Sequence, residues 1–268
     1  MLSLILAACA QSNLTQSGAL VSYDGLQRGD GVFTKAKFRT DRGSVMQAKS
    51  VAILPADLSE STRGRGLTGE QLSRIANTID RSLCAGLSER FKIARRGEAA
   101  DLKVQAFVTT IEPTNVTAAG VSSALGLGGT VASAATGLPL RVPRLPIGLG
   151  ALTVEAQALD KTDKQVAAMV WSRGADVITT RARASEEGDA YALADEFGAD
   201  FARLIVTGDD PIKPSTATLP SMQNMREFLG GRPKEAACER YGANPGLAGV
   251  VGGMLGAPPK WTDTSPKP

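Results

Sequence analysis

Between Thr68 and Phe91 the order of residues leaves little freedom of fold. Leu72, Ile75, Ile79, Leu83, Leu87 and Phe91 recur every three or four positions, which puts them on a single stripe of an α-helix. Thr68 and Gln71 stand at its start with the spacing of a capping box. The spacing predicts an amphipathic helix over 69–91, and such a helix is stable only when a second apolar surface covers its stripe. Strands are available to provide that surface. Ser50-Val51-Ala52-Ile53-Leu54-Pro55 reads as a short buried strand stopped by proline. Residues 101–112 alternate: Leu102, Val104, Ala106, Val108 and Thr110 face one way, Asp101, Lys103, Gln105 and Thr109 the other, with Phe107 a mild break. A second alternating run, Leu152 to Ala158, leads through Asp160-Lys161-Thr162-Asp163 into Gln165 to Ser172 and predicts a β-hairpin over 152–172. A last long helix is expected over 187–206, with Ala190, Ala194, Phe197, Phe201 and Leu204 inward and Glu186, Glu187 and Asp189 at its positive end. The expected fold is α/β (α+β): a small mixed sheet of about four to five strands with two long helices packed on it.

Aromatic residues make up only 4% of the chain, so the core must rest on Val, Ile, Leu and Ala. Residues 19–49 are turn-rich, with Tyr23-Asp24-Gly25-Leu26, Gly29-Asp30-Gly31 and Asp41-Arg42-Gly43 as turn signals. A linker follows the last long helix at 208–220, then a tail with one short helix over 221–229 and another around 234–241. Gly246 to Met254 is too rich in glycine to assign.

The amino terminus carries an address. Leu6-Ala7-Ala8-Cys9 closes an apolar run and resembles the lipobox of bacterial lipoproteins, in which the cysteine thiol takes a diacylglyceryl group and becomes the new terminus. Acylation by more than one chain gives stable attachment. Ala10, where retention at the inner membrane would favour Asp, implies the outer membrane by the same resemblance. Only eight residues precede Cys9 and none is charged, shorter than a full signal peptide, which is expected of a start codon assigned too late. By this resemblance residues 1–8 are expected to be a signal-peptide remnant, 9–18 a lipid-anchored tether, 19–208 a periplasmic α/β domain, and 209–268 a linker and irregular tail. The bland alternative is a chance match in a cytoplasmic protein.

Within the domain, 113–146 is a Gly/Ala/Pro-rich insert with no charge between Glu112 and Arg141. Small residues recur at fours, Ala124, Gly128, Ala132 and Thr136 among them, a spacing that lets helices approach closely. An arm packed on its own domain, a contact for a partner or a second copy, and insertion into a membrane all remain open. Beyond Cys9 the chain holds two cysteines, Cys84 and Cys238. In an oxidising periplasm the pair is expected to form a disulfide; two buried free thiols are the alternative.

Several chemistries are excluded or unsupported. The chain has no histidine, so no Ser-His-Asp or Cys-His nucleophile can form within it, nor any zinc site built on histidine. Gly120-Val121-Ser122-Ser123-Ala124 faintly resembles a nucleophile elbow that lacks its base, and Gly126-Leu127-Gly128-Gly129 lacks the Lys and the preceding strand of a phosphate loop. The net charge of +3, with no aromatics among the basic runs, gives no nucleic-acid footprint. Asp209-Asp210, Glu186-Glu187, and Asp160 with Asp163 are paired carboxylates that could serve a glycosidase only across a cleft. No metal, cofactor or small-molecule substrate is implied.

Taken together, the lipobox at Cys9, Ala19 to Leu26, Phe33-Thr34-Lys35-Ala36-Lys37, the strand at Val51, Ala100-Asp101-Leu102 and the ending Gly252-Gly253 … Pro258-Pro259-Lys260-Trp261-Thr262-Asp263 resemble a proteobacterial family of lipoproteins with a domain of unknown function. The family supplies no activity. The element order is more distantly similar to periplasmic lipoprotein domains such as the curli-secretion lipoprotein, the activators of penicillin-binding proteins and the amino-terminal domain of the Tol-system translocation protein. Those resemblances imply a non-enzymatic outer-membrane lipoprotein that binds another envelope protein or self-assembles. An envelope hydrolase with an unrecognised carboxylate site, and an oligomeric pore or secretion component using 113–146, are the alternatives.

Overall fold

The computed structural model describes residues 14–29, 31–63, 65–136, 144–213 and 231–265, with the backbone alone for 127–136. The helix expected over 221–229 lies outside the described residues. Eight strands form one mixed sheet: β1 (Gln27–Arg28), β2 (Thr34–Thr40), β3 (Ser50–Ile53), β4 (Asp57–Leu58), β5 (Lys92–Ile93), β6 (Leu102–Glu112), β7 (Ala151–Asp160) and β8 (Gln165–Gly174). Their order is β1-β2-β8-β7-β6-β3-β5, with β4 beside β6. β3 runs parallel to both β5 and β6, and β4 is parallel to β6; the other pairings are antiparallel.

The class is the expected one, and the sheet is larger. The main addition is β2, inside the stretch read as turns. Its inward residues include only Ala36 and Phe38 as apolar contacts, while Lys35, Lys37 and Arg39 occupy the other face, so its hydrophobic alternation is faint. Pairing with β8 along its whole length, from Thr34 opposite Arg173 to Thr40 opposite Ala167, makes it a strand. One facing was also wrong. A bulge between Val108 and Thr110 shifts β6 by one residue, so Ile111 is buried and Thr110 is not.

Beyond the one-turn helix α2 (Glu60–Arg63), helices α3 (Gly69–Leu87) and α5 (Gly188–Thr207) lie side by side on one face of the sheet. The capping box forms: Thr68 Oγ1 accepts from Gln71 N at 3.3 Å and Gln71 Oε1 accepts from Thr68 N at 2.7 Å. The regular helix stops at Leu87 rather than Phe91, but Phe91 stays buried in the same core. Two glycines let the helices touch. A Cβ on Gly86 would lie 2.5 Å from Ala202 Cβ, and one on Gly198 would lie 2.5 Å from Ser82 Cβ. Trp171 of β8 fills the space beneath, edge-on to Phe197. Arg90 closes the far end, donating to the carbonyls of Val45 in the last turn of the short helix α1 (Arg42–Gln47), of its cap Ala48, and of Ile205 and Val206 in α5. Those are helix-end carbonyls that would otherwise lack donors.

Asp80 of α3 is buried beneath the loop after β3, where its oxygens accept from Ala56 N at 3.0 and 3.3 Å. Burial pushes its carboxyl up to about 7, against the lowering effect of the Ala56 N–H and of nearby Arg240. A folded-state value above the unfolded one means the native protein holds the proton more tightly. The stabilisation is therefore complete below about pH 4 and is lost as pH rises through about 7. Asp80→Asn, which keeps an acceptor for Ala56 N, is expected to gain on wild type by about 1.4 kcal/mol per pH unit within that window and to level off above it. Urea unfolding of both proteins from pH 4.5 to 8.5 checks this; parallel stability curves would contradict it.

Candidate functional site

The described residues hold no group of three or more His, Cys, Asp or Glu that could bind a metal ion. Cys9, the expected lipidation site, lies outside the described residues. The segment that follows it does not hang free where it is described. Residues 14–26 cross the sheet face opposite the helices, with Leu20 packed on Ala168 and Val170 and with Leu14, Tyr23, Leu26 and Phe107 around them. At the centre is Glu155, fully buried on β7. It accepts from Ser17 N at 2.6 Å, Ser17 Oγ at 2.9 Å and the Tyr23 hydroxyl. Val21 N donates to Gln157 at 2.9 Å. A buried carboxylate without donors would be costly, so Glu155 fixes where this segment crosses.

Cys84 of α3 and Cys238 are joined by a disulfide with Cα atoms 5.8 Å apart. Cys238 lies in a 3₁₀ helix (Ala236–Tyr241) that occupies the position expected for a helix around 234–241. Other contacts tie the same tail to the domain. Asn77 Nδ2 donates to Tyr241 O at 2.8 Å, and Arg81 Nη1 to Asp263 Oδ1 at 3.0 Å, where the Tyr191 hydroxyl also donates at 3.0 Å. Burial raises that hydroxyl to about 12. Two crevices flank this attachment. One, of about 470 Å³, runs between α3, α5 and the tail past Glu89, Asp195, Arg203 and Cys238. The other, of about 320 Å³, is lined by Arg181, Arg183, Tyr191 and Asn244.

The paired carboxylates do not face one another across either crevice. Asp160 holds the hairpin turn through Thr162 and Lys164 N, which lowers its pKa, and Asp163 meets Lys103. Asp209 pairs with Arg42 and Asp210 with Lys213. Glu187 is buried against Gln71, Ser185 and Arg74. Ser122 and Ser123 lie within a helix rather than on a strand-to-helix turn, and their hydroxyls donate to carbonyls of Ala118, Ala119 and Ala182.

The insert begins as a helix, α4 (Val116–Thr136), springing from the end of β6. Asn115 accepts from Ala118 N at its start. The chain returns to β7 through Arg144, whose guanidinium is bidentate on Asp189 at 2.5 and 2.8 Å. The glycine-rich stretch after Pro245 is also a helix, α6 (Gly246–Met254), and the chain after it abuts α4: a Cβ on Gly256 would lie 2.2 Å from Ser123 Oγ. Among the described residues no helix is long and apolar enough to cross a membrane.

A two-layer domain, sealed on its open sheet face by its own amino-terminal segment and stapled to its tail, is thus the class of molecule defined here. The chain belongs to a family of proteins of unknown function, DUF3313, whose model matches residues 15–201. No curated protein matches it. Among solved structures it is similar to a point variant of the PelC dodecamer from Paraburkholderia phytofirmans, with 13% identity, TM-score 0.35, and 64% of this chain and 96% of that chain covered. A second PelC dodecamer structure from the same organism gives 11% identity and TM-score 0.35 over 68% of this chain and 99% of that one.

Proposed function

We propose that this chain is a lipoprotein of the outer membrane, held by acyl chains on Cys9 with its α/β domain in the periplasm. On this proposal it works without enzymatic chemistry, binding another envelope protein or assembling with itself. The observation that carries the proposal is the buried Cys84–Cys238 pair in a chain with a lipobox-like Leu6-Ala7-Ala8-Cys9. Disulfides persist in the periplasm and are rare in the cytosol, so a structural bridge and an export signal support each other. The crevice of about 470 Å³ between helices and tail offers a partner segment a mixed polar and apolar seat.

Membrane fractionation tests the location. Expressed in a Gram-negative host behind a full lipoprotein signal sequence, wild type is expected in the outer-membrane fraction. Cys9→Ala is expected to leave that fraction. Recovery of both proteins from the cytosol with Cys84 and Cys238 reduced would overturn the proposal.

A further inference from the structure

Two charge-free stretches of sequence meet at one end of the molecule. No charged residue occurs in 113–140 or in 241–259. The fold brings the first half of α4 beside α6 and the turn at Pro259–Trp261: Gly256 lies against Ser123, Arg181 donates to Val250 O, and Gly252 lies against Thr262. On the outside, Val121 and Leu125 of α4, Leu247, Val251 and Met254 of α6, and Leu255 are all exposed. Ser122 and Ser123, which could have lent this end polarity, turn their hydroxyls inward to backbone carbonyls. Trp261 is 72% exposed, the exposed Lys260 precedes it in the same turn, and the exposed Arg181 sits on α6 at Val250. An apolar surface rimmed by tryptophan and basic residues is the pattern of a protein face lying in a bilayer interface.

The path of the amino-terminal segment points the same way. From Val21 back to Ser17 its contacts move from Gln157 to Glu155. That direction is toward Ala151, the end of β7 beside which the α4 arm springs and returns. Five positions separate Cys9 from Leu14, so the chain between them reaches at most about 18 Å. A domain anchored through Cys9 is therefore held close to the membrane, within reach of the end of the sheet from which α4 springs.

We infer that the α4–α6 end is a lipid-docking surface, which seats the domain on the leaflet holding its anchor and inserts Trp261 at the headgroup level. The inference rests on the anchor proposed above, and its test removes that anchor. The full chain carrying Cys9→Ala is mixed with vesicles of phosphatidylethanolamine and a minority of phosphatidylglycerol, some with brominated acyl chains. The chain has two tryptophans, and Trp171 is fully buried, so lipid-dependent changes in emission report on Trp261. The expected result is a blue shift and quenching by bromines near the headgroups, both absent in Trp261→Phe. Adding Leu125→Asp and Val251→Asp is expected to weaken vesicle binding tenfold or more, with the circular dichroism spectrum unchanged.

Emission unaffected by brominated lipid would overturn the inference whether or not the aspartate variant folds. So would equal binding by a folded aspartate variant. A doubled mass by light scattering without vesicles, lost in that variant, would assign the surface to a second copy instead. None of these results bears on acylation of Cys9, which is read separately by mass.

Discussion

Replacing Cys84 and Cys238 together by alanine is expected to lower the unfolding free energy by roughly 2–5 kcal/mol. The bridge joins positions 154 residues apart, and a cross-link restricts the unfolded chain more as the loop it closes grows. Both cysteines are buried, so the alanines also leave small voids in the seam between α3 and the tail. The first consequence should be release of the tail rather than collapse of the sheet. What remains to hold it includes the burial of Tyr241 in the core and polar contacts such as Asn77 to Tyr241, Arg81 to Asp263, and Lys234 Nζ to Ser88 O at 2.8 Å. Urea unfolding without reductant, with limited proteolysis of the native state, measures both effects. Wild type in reductant should show the same effect on the tail with a smaller loss of stability, because its two thiols leave no void. Superimposable curves and equal protease resistance would contradict the account.

The second large effect lies at the start of α5. Arg144 and Asp189 are 5% and 0% exposed at the side chain, and Gly150 N donates to Asp189 at 2.8 Å. Asp189 also stands in the first turn of α5, where a negative charge meets the positive end of the helix. Asp189→Ala strands a buried guanidinium and is expected to cost about 3–5 kcal/mol. Arg144→Met should cost less, because Asp189 keeps the Gly150 N–H and the helix end. The double variant should lose less than the two single losses summed, since neither charge is then left alone. The site pins the return of the insert to the sheet, so Asp189→Ala should also expose the 113–150 arm to protease before the rest unfolds. Small, additive losses would show that the pair is not the clasp described.

Much of the architecture was legible because local signals agreed with the fold. The stripe from Leu72 to Leu87, the capping box at Thr68 and the hairpin around Asp160–Lys164 need only periodicity and turn chemistry. The parts that were not legible depend on distant neighbours. Ser17 finds Glu155 across 138 positions, so residues 14–18 read as free tether until the sheet is built. The bulge in β6 is set by register against β7, which alternation within β6 cannot reveal. Glycine lowers the helix propensity of Gly246–Met254, yet the fold needs it there: a Cβ on Gly252 would meet Thr262 Cγ2 at 2.5 Å. The candidate surfaces divide the same way. The pairing of Cys84 with Cys238 could be expected from a count of cysteines, and the charge-free insert from composition. That the insert would meet a second charge-free helix could not, because only the tertiary fold brings α6 to α4.

Intact mass of the mature protein tests the central proposal most directly. Wild type and Cys9→Ala are expressed in a Gram-negative host behind a full lipoprotein signal sequence and extracted under non-reducing conditions. The account requires a wild-type mass that starts at Cys9, carries acyl chains, and is two hydrogens short for the Cys84–Cys238 bridge, with the acyl mass absent from the variant. Unmodified masses in both proteins, with no processing at Cys9, would contradict it.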